Sequence, residues 1–173
     1  MAKKPNKNKH LPLYLLNGPN LNTLGTREPE IYGTTTLAEI EAMAADEAKK
    51  HGYRLVARQT NSEGGLVDLV QEARTQASAV ILNAGAFTHT SVALYDALKM
   101  LKCPIIELHI SNPHQRESFR HISYVGMAAT GTILGIGFYG YVLAVDAAVH
   151  LIEKGKHQAK GQSKGQSKGK SGK

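Results

Sequence analysis

The stretch LYLLNGPNLNTLGTREPEIYG, residues 13–33, decides the fold. Residues 13–16 form an apolar run with the length of a buried strand. The seventeen residues that follow are rich in Asn, Gly, Thr, Pro and charge, and a loop of that length in a compact domain is most often a lid or a binding loop. It carries Asn20, Arg27 and Tyr32, which can orient a water, hold an anion and accept a proton. We therefore expect half of any catalytic site here.

The positive charge of the chain lies at its two ends. The net charge is +7, but residues 1–10 hold four lysines and residues 153–173 hold seven. Residues 11–152 carry ten Lys plus Arg against thirteen Asp plus Glu, so this part is mildly acidic. A chain of 173 residues is long enough for one domain with a sizeable core. We expect that domain over residues 11–154, between a disordered basic extension at 1–10 and a disordered Lys/Gly/Ser tail at 155–173.

Composition argues against several classes of protein. No apolar run approaches the roughly eighteen residues needed to cross a bilayer, and no hydrophobic segment follows the basic N-terminus as it would in a signal peptide. Cys103 is the one cysteine, so an internal disulfide is impossible and we expect a cytoplasmic protein. The repeated GQSK at 161–168 is more typical of a solubilising tail, although weak nucleic-acid contact by its lysines stays open.

Short apolar runs alternate with helical patterns along the domain. The strand candidates are residues 13–16, 53–57, 79–82, 104–108 and 132–134. The helix candidates are residues 37–50, 66–76, 139–154 and a segment capped by Thr90 or Ser91 that ends at Leu101. This alternation predicts an α/β fold of right-handed βαβ units with helices on both faces of a parallel sheet. We expect a flavodoxin-like, doubly wound, five-stranded sheet in the order 2-1-3-4-5, in three layers α/β/α.

Three polar loops follow the first, third and fourth strands. They are residues 17–33, 83–89 and 109–121. Ligands of such sheets bind beyond the carboxyl ends of the strands, where the strand order reverses. The three loops therefore predict a single site at that edge.

Tyr32 and Arg27 could form an activated base. A phenol has a reference pKa near 10 and is a poor base at neutral pH. A guanidinium about 4 Å away contributes roughly 4 kcal/mol at an effective dielectric of 20, or about three pKa units, which makes a phenolate accessible near pH 7. The alternative, which the spacing alone favours, is a Tyr packed on the domain beside a solvated Arg.

Glu107 and His109 stand on the same face of the fourth strand, because side chains alternate along a strand. Glu107 could therefore hold one imidazole nitrogen and leave the other to act as an acid. A lone His at a strand end is more often only a hydrogen-bonded residue, and that alternative stays open.

Further polar groups lie in the third and fourth loops. Asn83 and His89 bracket the third loop. Ser111 and the backbone around Ile110 could bind one end of a small anion. Asp96, on the helix after His89, is expected to be an exposed acid unless another subunit covers that face.

Arginines of the fourth loop could grip a carboxylate with two parallel hydrogen bonds. The candidates are Arg116 and Arg120. Solvated pairing with Glu117 explains both equally well from the sequence alone.

Residues 135–140, GIGFYG, match G-x-G-x-x-G between a strand and a helix. A dinucleotide site needs a further strand after that helix, with an acid near its end to hold the ribose. Here the helix is followed only by the lysine tail, and Asp146 comes too soon. We interpret these glycines as close helix–sheet packing. No P-loop, nucleophile elbow or metal-ligand spacing is present.

Four motifs at strand exits resemble the type II 3-dehydroquinate dehydratase family. They are LNGPNLNTLGTREPEIYG at 16–33, TNSEGGLVD at 60–68, ILNAGAFTHTSVALYDAL at 81–98 and IELHISNPHQRESFRHISY at 106–124. The resemblance runs from about Leu13 to Leu151. It implies a lyase that removes water from 3-dehydroquinate to give 3-dehydroshikimate, by anti elimination through an enolate and with no metal or organic cofactor.

The resemblance also implies a role for each catalytic candidate. Tyr32 would take the proton next to the ketone, and Arg27 would stabilise its phenolate. Asn20 would hold a water on the enolate oxygen. His109 would be the general acid for the departing hydroxyl, with Glu107 supporting it.

The remaining positions would bind substrate. The substrate's carboxylate and hydroxyls would be held by Asn83, His89, Ile110, Ser111 and Arg120. Asp96 would reach a neighbouring subunit's site in a homododecamer of four trimers. Service in aromatic biosynthesis by the shikimate pathway or in quinate breakdown stays open.

Two rival interpretations remain. One is a flavodoxin-like module that binds a flavin or phosphate, although the first loop lacks a Ser/Thr/Gly cradle directly after the strand. The other is a nucleic-acid-binding protein that acts through its lysine tails. A type I dehydratase would need a Schiff-base lysine, and the four lysines of the domain, at 49, 50, 99 and 102, all look like helix-end surface charges.

Overall fold

The computed structural model describes residues 10–26 and 34–167. The strands are β1 Leu13–Asn17, β2 Leu55–Gln59, β3 Ala79–Asn83, β4 Ile105–His109 and β5 Gly131–Leu134. The helices are α1 Leu37–Lys50, α2 Glu63–Gln76, α3 Val92–Lys99, α4 Tyr124–Ala128 and α5 Tyr139–Ser167. Short 3₁₀ turns occupy the loops after β1, β3 and β4.

The five strands form one parallel sheet in the order β2-β1-β3-β4-β5. Helices α1 and α5 pack on one face, and α2, α3 and α4 pack on the other. The three central strands are buried along their whole length because both of their faces are covered. The doubly wound, three-layered, flavodoxin-like fold expected from the sequence is confirmed.

Helix α1 shows how the local sequence sets an element. Its buried residues Ile40, Ala44 and Ala48 recur every fourth residue and face the sheet. Thr36 caps the helix: its hydroxyl accepts the Glu39 N–H, and the Glu39 carboxylate accepts the Thr36 N–H at 2.8 Å. Gly52, at φ +78°, ends the helical path. The bounds expected from periodicity agree with the structure.

Helices α2 and α4 differ from the sequence expectation. Helix α2 begins at Glu63, not near Leu66, because the Ser62 hydroxyl accepts the Gly65 N–H at 3.1 Å and draws a glycine pair into the first turn. The five-residue helix α4 was not predicted. It is too short to show periodicity and is begun by the Ser123 cap.

The predicted end of the last helix near Lys154 is wrong, because α5 continues to Ser167. Lys, His, Gln and Ala dominate the residues just beyond 154, and most of them have good helix propensity. The glycines at 155, 161 and 165 weaken the helix without stopping it. The predicted disorder of residues 155–167 is therefore not what the backbone shows. Residues 1–9 and 168–173 lie outside the described residues.

Gly140 accounts for much of the GIGFYG motif. A Cβ there would stand 3.1 Å from Leu108 Cδ1 of β4, so the glycine lets α5 approach the sheet closely. Gly135 and Gly137 have φ values of +73° and +64° in the turn between β5 and α5. The packing interpretation of this motif agrees with the structure. Across the described residues, no helix is long and apolar enough to cross a membrane.

Replacing Thr36 by Ala should destabilise the domain by about 1 kcal/mol, because the first turn of α1 loses its cap. Thermal unfolding followed by circular dichroism measures the change. Thr34→Ala, in the same threonine run but outside the cap, is the control and should leave the midpoint unchanged. Equal losses in the two variants would contradict the assignment of the cap to Thr36.

Candidate active site

A cavity of about 160 Å³ opens beyond the carboxyl ends of β1, β3 and β4. Asn20, Asn83, His89, His109, Ile110, Ser111 and Arg120 are among the residues that line it. Seven of the eleven residues expected at the site therefore meet at one cavity. Glu107 lies directly behind His109, and Asp96 is exposed on α3 and does not line the cavity within this chain. Arg27 and Tyr32 lie outside the described residues.

The loop after β1 is pressed against the loop after β3. The Gly18 N–H donates to the Asn83 carbonyl at 2.7 Å, and a Cβ on Gly18 would stand only 2.4 Å from the Ala84 carbonyl oxygen. No side chain fits such a gap, so glycine is required. Asn20 then adopts the left-handed conformation, at φ +68°, and its N–H donates to Asn61 Oδ1 at 2.9 Å. These contacts place Asn20 at the cavity wall.

His109 and Glu107 form a hydrogen-bonded pair. His109 Nε2 lies 3.0 Å from Glu107 Oε1, and the side chains are only 10% and 3% exposed. The strand alternation that predicted a common face is thus confirmed in detail. An ionised carboxylate only accepts, so Nε2 carries a proton and Nδ1 is the nitrogen left for a ligand.

Glu107 is held by a cradle of further donors. The Ser123 hydroxyl donates to Oε1 and the Thr132 hydroxyl donates to Oε2, the latter at 3.2 Å. Burial alone would raise the pKa of Glu107, but the hydrogen bonds from His109, Ser123 and Thr132 outweigh it and lower the pKa below its ordinary value. Glu107 therefore stays ionised beside the imidazole. Gly126 completes the cradle, because a Cβ there would lie 2.7 Å from Oε2.

His89 presents an acceptor. Its Nδ1 lies 2.7 Å from the Ile122 carbonyl oxygen, so Nδ1 carries the proton and Nε2 has the lone pair. Burial, together with the charges of His109 and Arg120, lowers the pKa of His89, while the bond to Ile122 acts in the other direction. The ring stacks on His109 with centroids 6.2 Å apart. A neutral His89 thus stands next to the His109–Glu107 pair.

Arg120 is both paired and placed at the cavity. Its Nε donates to Glu117 Oε2 at 2.7 Å, and Arg116 Nε lies 3.6 Å from the same oxygen. The pairing that the sequence left open is therefore present. It does not exclude a binding role for Arg120, since a guanidinium has four N–H donors besides Nε–H. Arg116 also lines the cavity.

Comparison with known proteins identifies the family. The family model described as dehydroquinase class II matches residues 11–149. A 3-dehydroquinate dehydratase from Hyphomonas neptunium is 60% identical over 144 residues, which cover 81% of this chain and 94% of that protein. The chain belongs to the type II dehydroquinase family. The crystal structure of type II dehydroquinase from Propionibacterium acnes is 41% identical with a TM-score of 0.78, covering 82% of this chain and 97% of that one.

A second cavity, of about 370 Å³, lies behind the histidine pair of this dehydroquinase domain. His89, His109 and Arg120 line both cavities. Glu107, Ser123, Gly126 and Thr132 line only the second one. Ser123, Gly126 and Thr132 are not among the residues predicted for the site. Ser123 and Thr132 lie 16 and 25 residues beyond Glu107, and small polar residues near a turn carry no distinguishing pattern.

One group of metal-ligating side chains occurs among the described residues, at Glu47, His51 and Asp146. His51 Nε2 lies 2.8 Å from Asp146 Oδ1 and 3.5 Å from Glu47 Oε1. His51 at the end of α1 therefore contacts Asp146 of α5. None of the three lines either cavity. The trio joins two helices that are distant in sequence, which is why spacing alone did not show it.

Gly126→Ala should destabilise this family member by roughly 1–3 kcal/mol, because the new methyl group would overlap the buried Glu107 carboxylate. Gly131→Ala is the matched control: its Cβ would meet only Ile106 Cδ1 at an ordinary 3.7 Å. Thermal unfolding of both variants measures the difference. If Gly126→Ala is as stable as Gly131→Ala, the tight cradle around Glu107 is wrong.

Proposed function

We propose that this protein is a 3-dehydroquinate dehydratase that eliminates water through an enolate, with Tyr32 as base and His109 as general acid. The base takes a proton from the carbon beside the ketone, and the C–H electrons move onto the ketone oxygen. The enolate then expels the β-hydroxyl, to which the acid gives a proton. The products are 3-dehydroshikimate and water, and no redox partner is needed.

The observation that carries the proposal is the His109–Glu107 pair at the cavity. Glu107 is ionised and accepts from Nε2, so Nε2 keeps its proton and a negative charge lies beside the ring. Only the imidazolium can also donate from Nδ1, the nitrogen not used by Glu107. A departing hydroxyl needs such a donor, because hydroxide is a poor leaving group. General acid catalysis of this kind contributes about 10²- to 10⁴-fold.

Tyr32 and Arg27 are proposed as the base and its activator. The described chain on either side of these residues approaches itself closely, since a Cβ on Gly25 would stand 2.9 Å from the Thr34 carbonyl oxygen. Thr23 and Leu24, just before the segment, line the cavity. The segment therefore starts beside the site. Its closure over substrate would exclude water and strengthen the charge interactions inside.

The cavity wall suits the remaining steps. Asn20 is proposed to hold the water that stabilises the enolate oxygen. The substrate's carboxylate and hydroxyls would be bound by Asn83, His89, Ile110, Ser111 and Arg120. A neutral His89 offers an acceptor to a hydroxyl, while Arg120 offers positive charge to the carboxylate. The site thus holds donors and acceptors for a small hydroxy-acid.

We also propose the homododecamer of four trimers and a cytoplasmic location. Large apolar side chains are exposed near the second cavity and on α3, at Val92, Phe119, Ile122 and Met127. A neighbouring subunit that covered them would also meet Asp96, one turn along α3 from Val92. Light scattering on the purified protein tests the mass, and Met127→Glu is expected to lower it.

Tyr32→Phe should abolish turnover of 3-dehydroquinate, because a phenyl ring cannot accept the proton. Enone absorbance in the ultraviolet measures product, and an unchanged thermal midpoint shows that the protein still folds. Activity of the wild-type protein should persist after borohydride treatment with substrate, since no Schiff base forms. A fully active Tyr32→Phe variant would defeat the assignment of the base.

Glu107→Gln should lower kcat by roughly 10²-fold, because the neutral amide no longer stabilises the imidazolium of His109. The same absorbance assay measures it. The matched control is Glu72→Gln, since Glu72 also accepts a hydrogen bond, from Tyr14 at 2.6 Å, but lines neither cavity. Equal kcat values for the two variants would contradict the role of Glu107.

A further inference from the structure

A line of polar side chains runs through the core from α1 to the cavity. Asn17 Nδ2 donates to Glu41 Oε1 at 3.0 Å, and the Tyr141 hydroxyl donates to Asn17 Oδ1 at 3.1 Å. Asn83 Nδ2 donates to the Tyr141 oxygen at 2.9 Å. Asn17 and Tyr141 are 0% exposed and Asn83 is 3% exposed. Only Asn83, at the end of this line, lines the cavity.

The fold brings these residues together from four elements. Asn17 and Asn83 are the last residues of β1 and β3, where they are partners in the parallel register. Their side chains lie on the face covered by α1 and α5, because they follow Leu15 and Ile81 by two positions. Glu41 projects from α1 and Tyr141 from α5. The line therefore ties both helices of that layer to the mouth of the site.

The chemistry of each group sets the direction of the hydrogen bonds. Glu41 offers an acceptor oxygen. Burial raises the pKa of Glu41, and the bond from Asn17 opposes that shift, but even the protonated acid keeps a carbonyl oxygen as an acceptor. Asn17 therefore turns its NH₂ group to Glu41 and its oxygen to Tyr141.

The direction continues to the site. Burial raises the pKa of Tyr141 far above its ordinary value, so its hydroxyl keeps the proton and donates it to Asn17. The phenol oxygen is then an acceptor and takes a hydrogen bond from the Asn83 NH₂ group. Asn83 Oδ1 is left to accept the Gly85 N–H at 3.3 Å. Rotating the Asn83 amide by half a turn would place its NH₂ group against the Gly85 N–H, so that two donors would face each other.

We propose that Glu41 and Tyr141 are positioning residues of the site, which act through Asn17 to fix the orientation of the Asn83 amide. Neither touches the cavity. The proposal rests on the binding role proposed above for Asn83. With the amide fixed, Asn83 presents one N–H and one lone pair in set directions, so it can select a hydroxyl of the correct orientation. Because the amide is already held in its binding orientation, little conformational entropy is lost when substrate binds to it.

The test compares two buried tyrosines. Tyr141→Phe removes the central hydroxyl and should raise KM for 3-dehydroquinate roughly three- to tenfold with little change in kcat, as loss of about one hydrogen bond predicts. Tyr14→Phe is the matched control. Tyr14 is 2% exposed and its hydroxyl donates to Glu72 on the opposite face of the sheet, so its loss should lower the thermal midpoint and leave KM unchanged. A KM for Tyr141→Phe within twofold of wild type, or an equal KM rise in Tyr14→Phe, overturns the proposal.

Variants at Glu41 give a second route if Tyr141→Phe does not fold. Glu41→Met removes the acceptor at similar length and should raise KM, whereas Glu41→Gln keeps an acceptor oxygen and should recover most of the loss. The double variant Glu41→Met/Tyr141→Phe should raise KM no further than Tyr141→Phe alone, because both substitutions interrupt the same line of hydrogen bonds. An unchanged KM in Glu41→Met overturns the proposal.

Asn83→Ala separates this proposal from the proposed role of Asn83. If Asn83→Ala raises KM while Tyr141→Phe and Glu41→Met do not, the positioning line is wrong and the binding role stands. If Asn83→Ala leaves KM unchanged, the binding role of Asn83 is wrong, and the positioning role of Glu41 and Tyr141 is wrong as well.

Discussion

A buried carboxylate governs this site. Glu107 is 2% exposed, in a place where an unpaired charge would cost several kcal/mol. It is kept ionised by three hydrogen bonds from β4, β5 and the start of α4. Those bonds link β4 to β5 and to the start of α4, and they fix which nitrogen of His109 holds its proton. At the carboxyl end of β4, the neighbouring polar side chains are therefore arranged around one negative charge.

The two faces of the sheet contribute different things to the cavity. The face covered by α4 supplies the His109–Glu107 pair, because both side chains point to that side. The face covered by α1 and α5 supplies the neutral line that ends at Asn83. Glu107 and His109 on one side, and Asn17, Tyr141 and Asn83 on the other, are all hydrogen-bonded, as buried polar groups generally are. A charge and an amide therefore converge from opposite faces at the ends of adjacent strands.

Much of this could be predicted from the sequence, and the reason is local pattern. The bounds of α1 follow from apolar spacing and its cap, and the strand order follows from the alternation of elements. Alternation also placed Glu107 beside His109. The cradle residues Ser123 and Thr132 could not be predicted, because their partner lies far away along the chain. The length of α5 was missed since three glycines and a lysine repeat were interpreted as a tail.

Half of the chemistry was expected in the loop that carries Asn20, Arg27 and Tyr32, and for Arg27 and Tyr32 this assignment stays a prediction. Asp96 is in a similar position, because its proposed role needs a second subunit. Within one chain it is simply an exposed acid on α3. A role that depends on a second subunit leaves no mark in the packing of a single domain.

The contact between Gly18 and Ala84 has a consequence for how the polypeptide matures. These positions are far apart along the chain, with α1, β2 and α2 between them in sequence, and they meet where β1 pairs with β3. One rim of the cavity is thus a long-range contact, and the entropy lost on closing the intervening chain must be offset by packing of the core. While Ala84 is still inside the ribosome, the loop after β1 has no loop after β3 to pack against, so the cavity between these loops is completed only after that part of the chain has been synthesised.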